Sequence, residues 1–292
     1  MIDVKERDPI VNLALELLDD PLKKEALLYL ICYFQLVRRE GKLYVELDRF
    51  LACAYRSFRN TRSYWKDILV ELSVFQVIDL YGMAYSGKDI YKLKEGEIYL
   101  LGVKPEYEAL VDRLSTKVVK LWSVLSRSHV YHRSMTIQDA VAVISLLFNE
   151  GLYEEVVAYG ELCMERYKSG APYFSALINL SLFYMKDKDK STEPIKHALS
   201  LLDNLGPIFC GVNISKLSKD IEDLIRKVER GKEARKLKVE FVGGGRKKEN
   251  ILRRVWNRFK KLFDRLIGKD RDSYFIQGES CTKSFRTPYI SL

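Results

Sequence analysis

The chain runs to 292 residues, with 49 Lys and Arg against 40 Asp and Glu, a formal net charge of +9, and 47% hydrophobic and 12% aromatic residues. Those proportions exclude global disorder and leave room for two small domains, each with its own core, plus a tail. The charge is uneven: Arg226 to Arg271 holds eighteen basic against six acidic residues, a net of +12, so the rest of the chain is mildly acidic.

A mildly acidic body with one strongly basic arm implies a polyanionic partner, either nucleic acid or an anionic membrane. No charged–apolar–small signal pattern opens the chain and no apolar run reaches bilayer length, so a cytoplasmic location is expected. Cys32, Cys53, Cys163, Cys210 and Cys281 are odd in number and widely spaced, and are expected as reduced thiols in helical cores. Gln is scarce, with four residues, while Lys, Arg, Glu, Ile and Tyr are plentiful, a composition that leans towards a thermophilic source.

The first region, within 1–103, opens with a helix through "PLKKEALLYLICYFQLVRRE", Pro21 standing at a favoured first-turn position and Gly41 ending it. A short strand "KLYV" follows, then a helix "ELDRFLACAY" with Leu47, Phe50, Leu51 and Ala54 on one face. Thr61 caps a third helix, "RSYWKDILVELSVF", whose inward stripe is Trp65, Ile68, Leu69 and Leu72. Strand runs are predicted in "VIDLYGMAY" and "DIYKLK", turning through Ser86, Gly87 and Lys88, with "EIYLLG" as a third. This order resembles a winged helix-turn-helix domain over about eighty residues. The resemblance makes the third helix a recognition helix and the turn around Gly87 the wing.

A connecting helix is predicted within 104–133, and 134–231 reads as helical throughout. Two amphipathic pairs, "TIQDAVAVISLLFNEGLYEEVVAYGELCMERY" and "APYFSALINLSLFYMKDKDKSTEPIKHALSLL", repeat one design, and "ISKLSKDIEDLIRKVER" caps them. They resemble tetratricopeptide-type helical hairpins, with Ala140, Gly151, Tyr153, Ala176, Tyr184 and Ala198 near places where such repeats need close helix packing. Beyond them, 232–248 reads as a basic linker jointed by three glycines, 249–269 as an amphipathic helix and 270–292 as a tail. The expected class is therefore mainly α: an N-terminal winged helix-turn-helix with a small β-hairpin wing, a short helical-repeat-like domain, and a basic amphipathic C-terminal helix.

Two constellations carry the binding expectations. Arg59, Arg62, Ser63 and Lys66 are spaced i, i+3, i+4, i+7, with Asn60 and Thr61 between them, and would offer phosphates and guanine edges the donors that a recognition helix needs. Lys88 adds a wing cation, while Lys92 and Lys94 are offset by Asp89, Glu95 and Glu97; the alternative is a solvated face on a protein-binding domain. In the arm, Arg246, Lys247, Lys248, Arg253, Arg254, Arg258 and Lys261 would add phosphate contacts. Opposite them Ile251, Leu252, Val255, Trp256, Phe259, Leu262, Phe263, Leu266 and Ile267 form one apolar face. Nine such side chains in water would leave on the order of ten kcal/mol of burial unrealised. That face requires a surface: the body or a second copy, a partner or nucleic acid, or a membrane interface.

No catalytic constellation is present in the sequence. His129 and His132 have an H-x-x-H spacing without an evident third ligand, "VGGGRKK" lacks the phosphate-loop order, and no nucleophile elbow occurs. Glu154 and Glu155 fit an exposed helix start, where the helix dipole favours anions. No cofactor or metal is expected. The reading is a non-enzymatic nucleic-acid-binding regulator or adaptor whose winged domain contacts DNA or RNA and whose repeats bind a protein or form a homodimer. The alternative is a peripheral scaffold tethered to an anionic membrane at its cytoplasmic face.

Overall fold

The computed structural model describes residues 9–19, 25–57, 65–94, 96–128, 135–186, 191–233 and 235–242. Residues 1–246 form one unit and 247–292 a second, which lies outside the described residues. The described chain is mainly helical with a small antiparallel sheet.

Helix α1 (Pro9–Asp19) precedes the elements expected from the sequence. Its apolar residues recur at helical spacing, and Ile10, Val11, Leu13, Ala14, Leu17 and Leu18 are all buried. Helix α2 (Glu25–Glu40) buries Ala26, Leu27, Leu30, Tyr33 and Phe34, and sets Arg38 and Arg39 in its last turn, where cations complement the helix dipole. Gly41 ends it at φ 67°, a left-handed conformation that glycine takes without strain, and its N–H donates to Val37 O at 2.8 Å. Strand β1 (Val45–Glu46) leads directly into α3 (Leu47–Ser57), and after an undescribed stretch α4 (Trp65–Glu71) leads into β2 (Phe75–Asp79).

The run expected as one strand over 77–85 is broken. Asp79 Oδ1 accepts from the N–H groups of Tyr81 and Met83 at 2.9 and 2.8 Å, and Gly82 adopts φ 84°, so the chain reverses and returns as β3 (Ala84–Ser86). The second expected strand, 89–94, is instead a 3₁₀ helix over Gly87–Lys92. Ile90 and Leu93 both point inward, a spacing of three that a strand cannot satisfy. Strand β4 (Tyr99–Val103) then inserts between β1 and β2, giving the antiparallel order β1-β4-β2-β3, with Val45 opposite Leu101 and Phe75 opposite Val103. The α2 face closes on this sheet through Tyr33. Its ring packs edge-on to Phe75 at 5.0 Å, its hydroxyl donates to Leu43 O at 2.7 Å, and the Val103 N–H donates to it at 3.3 Å.

A short turn of helix, α5 (Pro105–Glu108), leads to α6 (Val111–Ser128), which lines up Val111, Leu114, Val118, Leu121 and Val124 on one buried face. Helix α6 packs on α2 and α7, and α1 packs on α6 and α8. The helix expected as a connector thus packs against both earlier and later helices of the same unit.

Thr136 and Asp139 form a capping box at the start of α7 (Ile137–Glu150), which Gly151 ends at φ 71°. Helices α8 (Tyr153–Arg166), α9 (Ala171–Met185) and α10 (Glu193–Leu202) follow, with α9 packed against both neighbours. Gly160 permits the α8–α9 approach, since a Cβ there would lie 2.9 Å from Ile178 side-chain atoms. A hairpin absent from the sequence reading comes next: β5 (Ile208–Phe209) and β6 (Val212–Asn213), joined through Cys210 and Gly211, both at positive φ as a type I′ turn requires. Asn213 then caps α11 (Ile214–Glu229) by accepting from the Lys216 N–H.

The start of the expected flexible linker is held in place. Residues 235–242 run extended along the ends of α7 and α9 and beside β6, with a bridge between Val212 and Phe241. Leu237, Val239 and Phe241 are buried to varying depth, whereas Lys236, Lys238, Glu240 and Val242 are exposed. This period of two is that of a strand laid on a surface.

Candidate interaction surfaces

Of the residues expected on the recognition helix, Arg59, Asn60, Thr61, Arg62 and Ser63 lie outside the described residues, and Lys66 takes a different role. Lys66 is only 6% exposed, and its Nζ donates to Leu93 O at 2.8 Å and Tyr91 O at 3.3 Å, with the Trp65 ring 5.6 Å away. A cation committed to two main-chain carbonyls stands inside the fold, not on a phosphate-facing surface. Helical spacing placed it beside Arg59 and Arg62 on the polar face, but the 3₁₀ segment folds over that side of α4 and covers it.

In the β2–β4 region carboxylates partly offset the cations, as expected. Lys88 is exposed as expected, but Lys92 pairs with Asp89 at 2.6 Å and Lys94 lies 3.6 Å from Glu97. The tip of the β2–β3 turn is apolar instead, with Leu80, Tyr81 and Met83 exposed and Tyr81 at 96%.

A second cluster corrects the reading of α8. Glu155 is 1% exposed, not at an open helix start, and its Oε1 lies 3.2 Å from Lys117 Nζ of α6. Glu154 binds both Arg113 and Lys117 across the same helix pair. Burial raises the Glu155 carboxyl above its ordinary value, against the opposing pull of the Lys117 cation. These groups tie α6 to α8, from the buried Glu155 out to the exposed Arg113. Among the described residues no group of three or more His, Cys, Asp or Glu could hold a metal ion, and no helix is long and apolar enough to cross a membrane. His129, His132, Arg246, Lys247, Lys248 and the whole of 249–269, expected as a helix with basic and apolar faces, lie outside the described residues.

The most specific recognition geometry involves residues 235–242. Asn149, near the end of α7, donates from Nδ2 to Val239 O at 2.9 Å, while the Val239 N–H donates back to Oδ1 at 2.8 Å. Tyr184, near the end of α9, donates its hydroxyl to Arg235 O at 2.9 Å and accepts from the Leu237 N–H at 3.0 Å. The Tyr184 hydroxyl must therefore stay protonated. Burial pushes it up to about 12, so at neutral pH it serves as donor and acceptor together. Its ring stacks on Tyr153 at 5.1 Å, which fixes its direction. On the other edge of the segment, Asn213 N–H donates to Glu240 O at 2.9 Å and Val242 N–H to Gly211 O at 2.7 Å.

Between this segment and α11 lies a cleft of about 270 Å³ lined by Asp220, Asp223, Leu224, Lys227 and residues 235–238. Tyr184 is expected only as a packing residue of the repeats, and Asn149 carries no signal of its own in the sequence. The missed signal was the alternation of Leu237, Val239 and Phe241 with Lys236, Lys238 and Glu240.

The chain is similar to a protein of Aquifex aeolicus (strain VF5) described as uncharacterised. The two are 34% identical over 262 residues, which span 88% of this chain and 84% of that one. No family model matches the chain, and no solved structure matches it.

Proposed function

We propose a function for a chain that belongs to the same family as the Aquifex aeolicus protein: a non-enzymatic nucleic-acid-binding adaptor with a protein-binding helical layer. In this reading 25–103 is a winged helix-turn-helix domain. Its support is the order helix, strand, helix, helix, strand, strand, strand, with the last strand paired between the first two, together with the packing of α2 and α3 on that sheet. The helices from α7 to α10 form two tetratricopeptide-like hairpins, supported by the close packing of α8, α9 and α10.

The observation that carries the nucleic-acid reading is the net +12 between Arg226 and Arg271 on a body that is otherwise mildly acidic. Burial of Lys66 moves the expected contacts from the body of α4 to Arg59, Asn60, Thr61, Arg62 and Ser63 ahead of it in sequence, with Lys88 as a further cation and the arm cations supplying sequence-independent phosphate contacts.

The membrane tether remains as the second reading because the arm's cations are interleaved at helical spacing with nine apolar residues, the composition of an interfacial helix. One experiment separates them. The full-length protein is titrated with labelled duplex DNA and labelled single-stranded RNA at low salt, and in parallel sedimented with anionic and neutral vesicles. Saturable binding to a nucleic acid supports the adaptor. Sedimentation with anionic vesicles and no nucleic-acid binding replaces it with the tether.

A further inference from the structure

Every described contact that Asn149 and Tyr184 make to residues 235–242 is to main-chain atoms: Arg235 O, Leu237 N–H, and the N–H and C=O of Val239. Grips of this kind are indifferent to side-chain identity. Selection is left to the inward positions, Leu237, Val239 and Phe241, which alternate as in a strand. The surface that receives them is composite, since α7, α9 and β6 each contribute one set of bonds. The segment buries Val239 fully and Leu237 and Phe241 in part, so three apolar side chains and the main-chain bonds retain it together. It is a short extended peptide held as peptide ligands are held, by main-chain hydrogen bonds and alternate apolar side chains that a competing peptide can reproduce one for one.

We propose that the ends of α7 and α9 with β6 form a peptide-binding groove, which residues 235–242 occupy in cis and which an extended segment of a protein partner takes over. The partner segment presents large apolar residues at three alternate positions, with a basic residue between the first two and an acidic one between the last two, the pattern of the chain's own occupant. The inference rests on the reading of the hairpins as a protein-binding layer and names its ligand. Lys216, 2.5 Å from Glu240, and the acidic Asp220 and Asp223 of α11 border the segment, so a partner peptide with an acidic residue at the Glu240 position keeps the Lys216 pair.

The test uses the full chain and a labelled peptide of sequence RKLKVEFV. In the variant Leu237→Ser/Val239→Ser/Phe241→Ser the cis segment loses its hold. That variant binds the peptide saturably, whereas the wild type binds at least about tenfold more weakly because the tethered segment competes at high effective concentration. Adding Asn149→Ala or Tyr184→Phe to the released variant weakens binding about tenfold. No binding by a released variant that retains its helical circular dichroism overturns the proposal, as does equal binding to wild type and released variant.

Should the triple variant not fold, hydrogen exchange of the wild type decides. The Leu237 and Val239 amides exchange faster than those of the α9 core, and faster still with excess peptide; protection equal to the α9 core makes the segment permanent structure and overturns the proposal. Sedimentation of the wild type is expected to show a monomer. A dimer that excess peptide dissociates would place the segment in a second copy, against the cis reading. None of these failures bears on nucleic-acid binding, which the titrations above measure separately.

Discussion

Asn149 and Val239 exchange both hydrogen bonds available to one backbone residue: the amide nitrogen donates to the carbonyl and the amide oxygen accepts the N–H, at 2.9 and 2.8 Å. A side chain ninety residues earlier thus does for this segment what a neighbouring strand would do. Asn149→Ala leaves the buried Val239 with two main-chain groups to satisfy, and is expected to cost about 1–3 kcal/mol. Denaturant unfolding measures the loss, and limited proteolysis is expected to cut first within 235–242.

Lys66 gives a prediction that separates fold from function. Lys66→Met keeps the stem that packs near Trp65 and removes the donors to Tyr91 O and Leu93 O. Stability falls by about 1–3 kcal/mol as those carbonyls lose their partner, while affinity for nucleic acid stays within about twofold. The same titration on Arg59→Ala or Arg62→Ala loses affinity with little change in the unfolding midpoint.

Glu155 carries a pH dependence whose sign is fixed by the direction of its shift. Its folded pKa is raised above the ordinary 4.5 by burial, so the folded chain binds more protons than the unfolded one in the window above that value. Its contribution therefore weakens the fold as pH rises through that window. Glu155→Gln is expected to raise the melting temperature at pH 7, with the gain vanishing below about pH 4.5, where the carboxyl is protonated in both states. Lys117 keeps Glu154 as its partner in the variant. A melting temperature lowered at pH 7 would show that the Lys117 attraction outweighs the cost of burial.

The apolar tip of the β2–β3 turn is built without apparent structural need. Leu80→Ser with Tyr81→Ser removes two exposed side chains and is expected to change stability by less than about 0.5 kcal/mol. Thermal melting checks this. A larger loss would mean that the tip is packed against something in solution.

Much of the architecture was legible because apolar spacing reports burial directly. The helices α2, α3 and α7 to α11 follow from it, and so does α6. The same rule would have found α1, where Ile10, Val11, Leu13, Ala14, Leu17 and Leu18 keep the helical period. It failed where one short apolar run served two geometries. Residues 89–94 read as a strand until Ile90 and Leu93 both turn inward, and 77–85 read as one strand because the capping by Asp79 that breaks it is a hydrogen-bonding event without a hydropathy signature.

The candidate sites were less legible. Lys66 and Glu155 are charged residues at positions that periodicity assigns to solvent, and each is covered by an element distant in sequence, the 3₁₀ segment and α6. Asn149 and Tyr184 acquire their role only when 235–242 folds back against the helix ends. That return depends on Gly231 at φ 65° after α11 and on the β6 edge, neither of which hydropathy encodes.

The salt dependence of duplex affinity decides whether the basic arm engages phosphates. With about eight arm cations on phosphates, the logarithm of the binding constant is expected to fall with the logarithm of salt concentration at a slope of roughly −7. Charge neutralisation at Arg246, Lys247, Lys248, Arg253, Arg254 and Arg258 should flatten that slope to roughly −2. A wild-type slope near zero, or no duplex or single-strand binding at low salt, would contradict the account.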